Sequence, residues 1–142
     1  MKILLAVDGS ENALDAVRFV LEHLSWASAR PEVEVVTVHP PVPKLPGMGK
    51  VVGKAQIEKY YAEEGAAQLA GAKQLLDGAG FKYNARVLVG PVAETLVAHA
   101  KSARCDVILI GNRGMTAAAN MLLGSVATKV LHLSPVPVLL VK

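Results

Sequence analysis

Three observations predict an α/β fold with a doubly wound, five-stranded parallel sheet and helices on both faces. Five short runs rich in Val, Ile and Leu alternate with four longer helical stretches, the rhythm of successive βαβ units. One of these runs, Val107-Ile108-Leu109-Ile110, is continuously apolar, as strands buried on both faces are. Of the 142 residues 52% are hydrophobic but only 4% aromatic, so the core must be built from Val, Leu, Ile and Ala.

The first strand is read at residues 2 to 7, and Asp8-Gly9-Ser10 turns from it into a helix with Ser10 as N-cap. Ala13, Leu14, Val17, Val20, Leu21 and Leu24 recur there at helical spacing. The second strand, Glu32 to His39, alternates Val33 and Val35 with polar positions until Pro40-Pro41 stops it. Pro, Gly and Lys then dominate to about Lys54, which reads as a long, mobile loop. A helix follows from about Ala55 to Asp77, ended by Gly78 and Gly80.

The third strand spans about Tyr83 to Val89. Gly90-Pro91 opens the next helix with Pro91 at its first position, and Val92, Leu96, Val97 and Ala100 form its buried stripe. A fourth strand, Asp106 to Ile110, leads into a glycine turn, and a last helix runs from Ser125 to Leu133. Val136 to Val141 forms the fifth strand, which Pro137 assigns to a sheet edge. Residues 1–142 are thus expected to make a single domain, with no internal repeat.

Composition removes several functions. A net charge of +3 is too mild and too scattered for a nucleic-acid surface, since Lys44, Lys50, Lys54 and Lys59 have only Tyr60 and Tyr61 nearby. The apolar run before Asp8 is too short for a signal-peptide core or a membrane span. Cys105 is the single cysteine, which excludes an internal disulfide and fits a reducing cytoplasm. His23, His39, His99 and His132 show no metal-ligand spacing, and His39 alone ends a strand facing the crevice. Gly47-Met48-Gly49 and Gly53 do not follow a strand directly, so they fail as a dinucleotide fingerprint, and no P-loop is present.

The chemistry concentrates in Gly111-Asn112-Arg113-Gly114 and in Gly124-Ser125. Glycines after a buried strand let backbone N–H groups approach an anion, and Ser125 can cap the last helix while offering its hydroxyl to phosphate. A tight turn and a cap without a ligand fit the same residues. Asp8, at the end of the first strand, can accept from a ribose hydroxyl or an adenine amine, or cap the helix with Ser10, or both. No nucleophile is paired with a base, so catalysis is not indicated.

Together, Val7-Asp8-Gly9-Ser10, the spacing Gly111-x-x-Gly114-x9-Gly124-Ser125 and the terminal Val136-Pro137-Val138-Leu139-Leu140-Val141-Lys142 resemble the universal stress protein A family, end to end. The resemblance implies a sheet in the order 3-2-1-4-5 and a homodimer joined through strand 136–141. It further implies that this chain is one of the members binding ATP or a related adenine nucleotide. Asp8 and the main chain around Ala6 and Val7 would then hold the adenosine, with Ser10 counted among the binding residues, and Gly111, Asn112, Arg113 and Gly114 the ribose and first phosphate. Gly124, Ser125 and Val126 would take the remaining phosphates, with or without Mg2+.

Two positions depart from the family pattern. Pro40 stands where main chain usually meets the adenine edge and has no N–H to donate, although its carbonyl can accept. Met115 to Leu123 carries no charge where relatives often place basic side chains, leaving Arg113 as the nearby cation. The expected protein is a cytoplasmic, dimeric, nucleotide-binding stress regulator or sensor, whose ligand stabilises one conformation of the Pro40 to Lys54 loop. Its rivals are a slow ATP hydrolase at the same crevice and a nucleotide-free dimeric scaffold for an unidentified protein partner.

Overall fold

A computed structural model describes residues 1–24, 29–43, 53–115 and 122–142. Its elements are β1 (Lys2–Ala6), α1 (Glu11–Leu24), β2 (Glu32–His39), α2 (Lys54–Gly78), β3 (Tyr83–Val89), α3 (Val92–Ser102), β4 (Val107–Gly111), α4 (Ser125–Leu133) and β5 (Val138–Val141). All strand pairs are parallel, in the order β3-β2-β1-β4-β5. The expected fold class and strand order are both found. Most of the loop expected between Pro40 and Lys54, and most of the Met115 to Leu123 linker, lie outside the described residues.

Strand alternation sends side chains to two separate cores. Ile3, Leu5, Val33, Val35 and Leu109 pack on one face against Ala16, Val17 and Val20 of α1 and Leu69, Ala72 and Leu76 of α2. Leu4, Ala6, Val36, Ile108 and Ile110 pack on the other against Leu96 and Ala100 of α3 and Ala127 and Val130 of α4. Burying β1 and β4 on both faces explains why their sequences are almost unbroken apolar runs.

Some boundaries shift by a residue or two, each for a physical reason. Val7 falls outside β1, yet its N–H still reaches the Val36 carbonyl at 2.9 Å. Asp106 precedes β4: its backbone N–H donates to the Lys2 carbonyl at 2.8 Å, but its side-chain carboxylate, not its main chain, accepts the Lys2 N–H at 2.6 Å. β5 begins at Val138, since Pro137 has no N–H for the ladder, although its carbonyl accepts from Ile108 at 2.9 Å. The edge position expected of this strand is found. Pro91 is the N-cap of α3, its ψ of 122° being extended, so Val92 takes the first helical position.

Ser10 caps α1 as expected, its hydroxyl accepting the Ala13 N–H at 3.2 Å. At the other end of this junction, a Cβ on Gly111 would lie 2.6 Å from the Asn12 carbonyl oxygen and 2.7 Å from its carbon. Gly111 is therefore needed because the end of β4 passes directly beneath the first turn of α1.

Candidate functional site

The chain leaves β1 toward one face of the sheet and β4 toward the other, and the crevice between such diverging connections is where open α/β sheets take ligands. A cleft of about 270 Å³ lies there. On the α3/α4 side its lining is apolar, from Val36, Val38, Val92, Leu96, Ile110 and Ala127. On the α1/α2 side Asp8 and Gln68 add polar groups beside Val7 and Ala13, and Arg113, Gly114, Gly124, Ser125 and Val126 are also in the lining. A flat, largely apolar group with polar edges and an anionic tail matches this division.

The anionic end follows from how α4 starts. Gly124 is its N-cap, and no side chain caps the helix among the described residues. The first bond inside the helix is Thr128 N–H to the Gly124 carbonyl at 2.9 Å. Ahead of that bond come the amides of Ser125, Val126 and Ala127, three residues that line the cleft, and these carry the positive end of the helix dipole. Ser125 is thus the first residue inside the helix rather than its cap, and its side chain is exposed. The cap position went to Gly124 because that residue's own N–H donates to the Asn112 carbonyl at 2.7 Å, which fixes an extended backbone there.

Asp8 makes two contacts at once. Its Oδ1 accepts the Ser10 N–H at 2.9 Å, a local turn, and its Oδ2 accepts the Met115 N–H at 3.1 Å across the cleft floor. A Cβ on Gly114 would lie 2.7 Å from that same Oδ2. Opposite, the Gln68 carbonyl oxygen accepts the hydroxyl of the buried Thr37 at 2.5 Å, which orients its amide.

Of the residues singled out in the sequence, Ala6, Val7, Asp8, Gly111, Arg113, Gly114, Gly124, Ser125 and Val126 line the cleft together. Ser10, Pro40 and Asn112 do not. The Ser10 hydroxyl is committed to the α1 cap, and Asn112 is a buried tie whose N–H reaches Val141 at 2.8 Å and whose Nδ2 reaches the Leu122 carbonyl at 3.3 Å. Pro40 is exposed, and its carbonyl is 2.7 Å from His39 Nδ1. His39 does not face the crevice: its ring packs against Tyr60 and Tyr61 of α2, at 5.4 and 5.2 Å between centroids. Two of the residues expected to approach the anion, Asn112 and Gly124, spend their backbone N–H groups inside the protein.

Sequence reasoning missed the apolar wall and Gln68. Val36, Val38, Val92 and Leu96 look like any core residue when read as periodicity alone. Gln68 did carry a signal, because it stands beside the buried stripe of α2 formed by Gly65, Leu69, Ala72 and Leu76.

The family model described as the universal stress protein family matches residues 1–142. A universal stress protein of Thermus aquaticus is 32% identical over 140 residues, covering 99% of this chain and 97% of that protein. The structure of a universal stress protein from Archaeoglobus fulgidus in complex with dAMP superposes with a TM-score of 0.63 at 28% identity, covering 100% of this chain and 98% of that one. A universal stress protein in complex with cAMP superposes with a TM-score of 0.72 at 25% identity, covering 100% and 97%. The chain belongs to the universal stress protein family.

Proposed function

We propose that the cleft binds an adenine nucleotide, ATP, ADP or AMP, and that the bound state makes this protein a regulator or sensor in a stress response. The observation that carries the reading is the uncapped start of α4, whose three amides face a cleft that is otherwise apolar on one side. The base fits between Val36, Val38 and Leu96, with the Gln68 amide at its polar edge. The phosphate sits on the amides of Ser125, Val126 and Ala127, with Arg113 and the Gly114 turn beside it. That relatives of this fold hold dAMP and cAMP supports the choice of base. Pro40, being outside the cleft, takes no part in reading it.

Binding is the reading taken because no nucleophile is paired with a base in the sequence, and the Asp8 carboxylate accepts a backbone amide on each oxygen, which supports a structural use of that group. Among the described residues no group of three His, Cys, Asp or Glu side chains is placed to hold a metal, so a Mg2+ would be carried by the phosphates of a longer nucleotide.

The dimer belongs to the same reading. Leu139 on edge strand β5 is 40% exposed, and Leu131 and Leu133 on the neighbouring helix are 42% and 40% exposed, an apolar edge that a two-fold partner would cover. No helix among the described residues is long and apolar enough to cross a membrane. The single cysteine, a buried free thiol, is in keeping with the reducing cytoplasm of this reading. Native mass spectrometry tests ligand and assembly in one spectrum. Two chains each carrying one AMP are expected at millimolar AMP, and a bare monomer under those conditions overturns the proposal.

A further inference from the structure

We infer that Gln68 of α2, oriented by Thr37 of β2, determines which purine this cleft accepts, selecting a 6-aminopurine over a 6-oxopurine by presenting a fixed hydrogen-bond donor. The inference deepens the nucleotide reading above and rests on it. Thr37 continues the row of Val33 and Val35 that packs against α1 and α2, and it is 1% exposed. A hydroxyl buried so deeply needs an acceptor for its hydrogen, and Gln68 Oε1 supplies one at 2.5 Å. With its carbonyl oxygen engaged on the sheet, the half-buried Gln68 has its NH2 group to offer to the cleft that it lines. No described residue accepts a hydrogen bond from that nitrogen.

The strand order sets which edge of the base meets this donor. The phosphate lies at the start of α4, which follows β4, whereas Gln68 is tied to β2, and β1 runs between these two strands. A nucleotide lying across the end of the sheet with its phosphate on α4 therefore turns toward β2 the part of the base farthest from its ribose. In a purine that part is the edge carrying N1 and the 6-substituent. N1 of a 6-aminopurine is an acceptor and matches the NH2 group. N1 of a 6-oxopurine carries a hydrogen, so donor would face donor in a slot walled by apolar side chains, and both would go unpaired.

Thr37 does not line the cleft, so it acts through Gln68 and is a positioning residue. Without its hydroxyl the Gln68 amide is free to turn over and present oxygen in place of nitrogen. The pocket would keep its shape and lose its preference.

Calorimetry with three ligands tests this: AMP, 1-deaza-AMP, which has C–H in place of N1, and IMP, which has N–H there. The wild type is expected to bind AMP at least about tenfold more tightly than either of the others. In Thr37→Val, which keeps the β-branch and removes only the hydroxyl, the preference for AMP over IMP should fall to about threefold or less. In Gln68→Glu, where an acceptor replaces the donor, that preference should reverse. In Gln68→Met, AMP and 1-deaza-AMP should bind within about twofold of each other.

A preference for AMP over IMP that is the same in the wild type, Thr37→Val and Gln68→Glu, whatever the absolute affinities, would reduce the pair to packing and overturn the inference. Equal binding of AMP and IMP by the wild type would also overturn it, while leaving the nucleotide site standing. If neither AMP nor IMP binds, the nucleotide reading falls and this inference with it. Should Thr37→Val fail to fold by circular dichroism, Gln68→Glu and Gln68→Met decide the matter, because position 68 is only half-buried.

Discussion

The two ends of the sheet treat polar groups in opposite ways. At the N-terminal end, the Glu34 carboxylate is 5% exposed: Oε1 has Asn84 Nδ2 at 3.0 Å and Lys2 Nζ at 3.3 Å, while Oε2 makes no hydrogen bond and has His99 Nε2 at 3.5 Å and Arg86 Nε at 3.9 Å as its neighbours. Lys2 also reaches Glu32 at 3.1 Å, and its backbone N–H is taken by Asp106. At the C-terminal end, a helix starts with no side-chain cap among the described residues, beside an apolar slot. Burying polar groups costs free energy unless they are paired, and the first end sets most of its charged groups against one another, leaving Glu34 Oε2 and His99 Nε2 buried without a hydrogen bond, while the second opens a helix on backbone donors. The fold gathers its buried charges below and its glycine turns above.

The sharpest way to break this contrast is to damage the upper end through its backbone. Gly111→Ala places a Cβ 2.6 Å from the Asn12 carbonyl oxygen, where only main chain can yield, and is expected to cost about 3 kcal/mol in urea unfolding. A cost under about 0.5 kcal/mol would show that α1 is free to shift.

A smaller effect separates the two ends. Glu34→Gln should destabilise the protein by about 1–2 kcal/mol at neutral pH and change AMP affinity less than about twofold. Burial alone would raise the Glu34 carboxyl, but the hydrogen bonds from Asn84 and Lys2 outweigh it and hold the group below its ordinary value of 4.5. A carboxyl depressed by folding stabilises fully above its unfolded value and loses that contribution as pH falls through the folded one. The difference between wild type and Glu34→Gln should therefore shrink as unfolding is followed from pH 7 into the acid range below 4.5. A difference constant over that range would mean that the ionised form is not what the lower network stabilises.

The smallest expected effect sharpens the contrast from above. Ser125 is exposed at the first position of α4, so Ser125→Ala should leave stability within about 0.5 kcal/mol. Its loss of one hydroxyl donor should weaken AMP roughly threefold by calorimetry. An unchanged affinity would assign the phosphate to backbone donors alone.

Much of this was readable before any coordinates. The apolar run at residues 107–110, the Ser10 cap and the edge placement of a strand that follows Pro137 each rest on local chemistry, and each is present. The strand order came from a likeness to known proteins, because periodicity does not say which strands are neighbours. Nine of the twelve residues proposed for the site line one cleft, since a glycine turn after a buried strand has few other places to go. What misled was treating amides as free because they neighbour glycine. Asn112 and Gly124 spend theirs on Val141 and on Asn112 itself, partners that sequence distance hides.

Sequence by itself determined which segments are strands and helices, where they stop and which end of the sheet carries the glycine turns, because those follow from side-chain period, caps and φ restrictions along the chain. Tertiary structure alone decided that Gly111 is glycine for the sake of α1, that Gln68 reaches the cleft, and that Asp8 holds Met115 from more than a hundred residues away. The reason is that hydrogen-bond donors and Cβ positions are spent through space, and the chain does not record with whom.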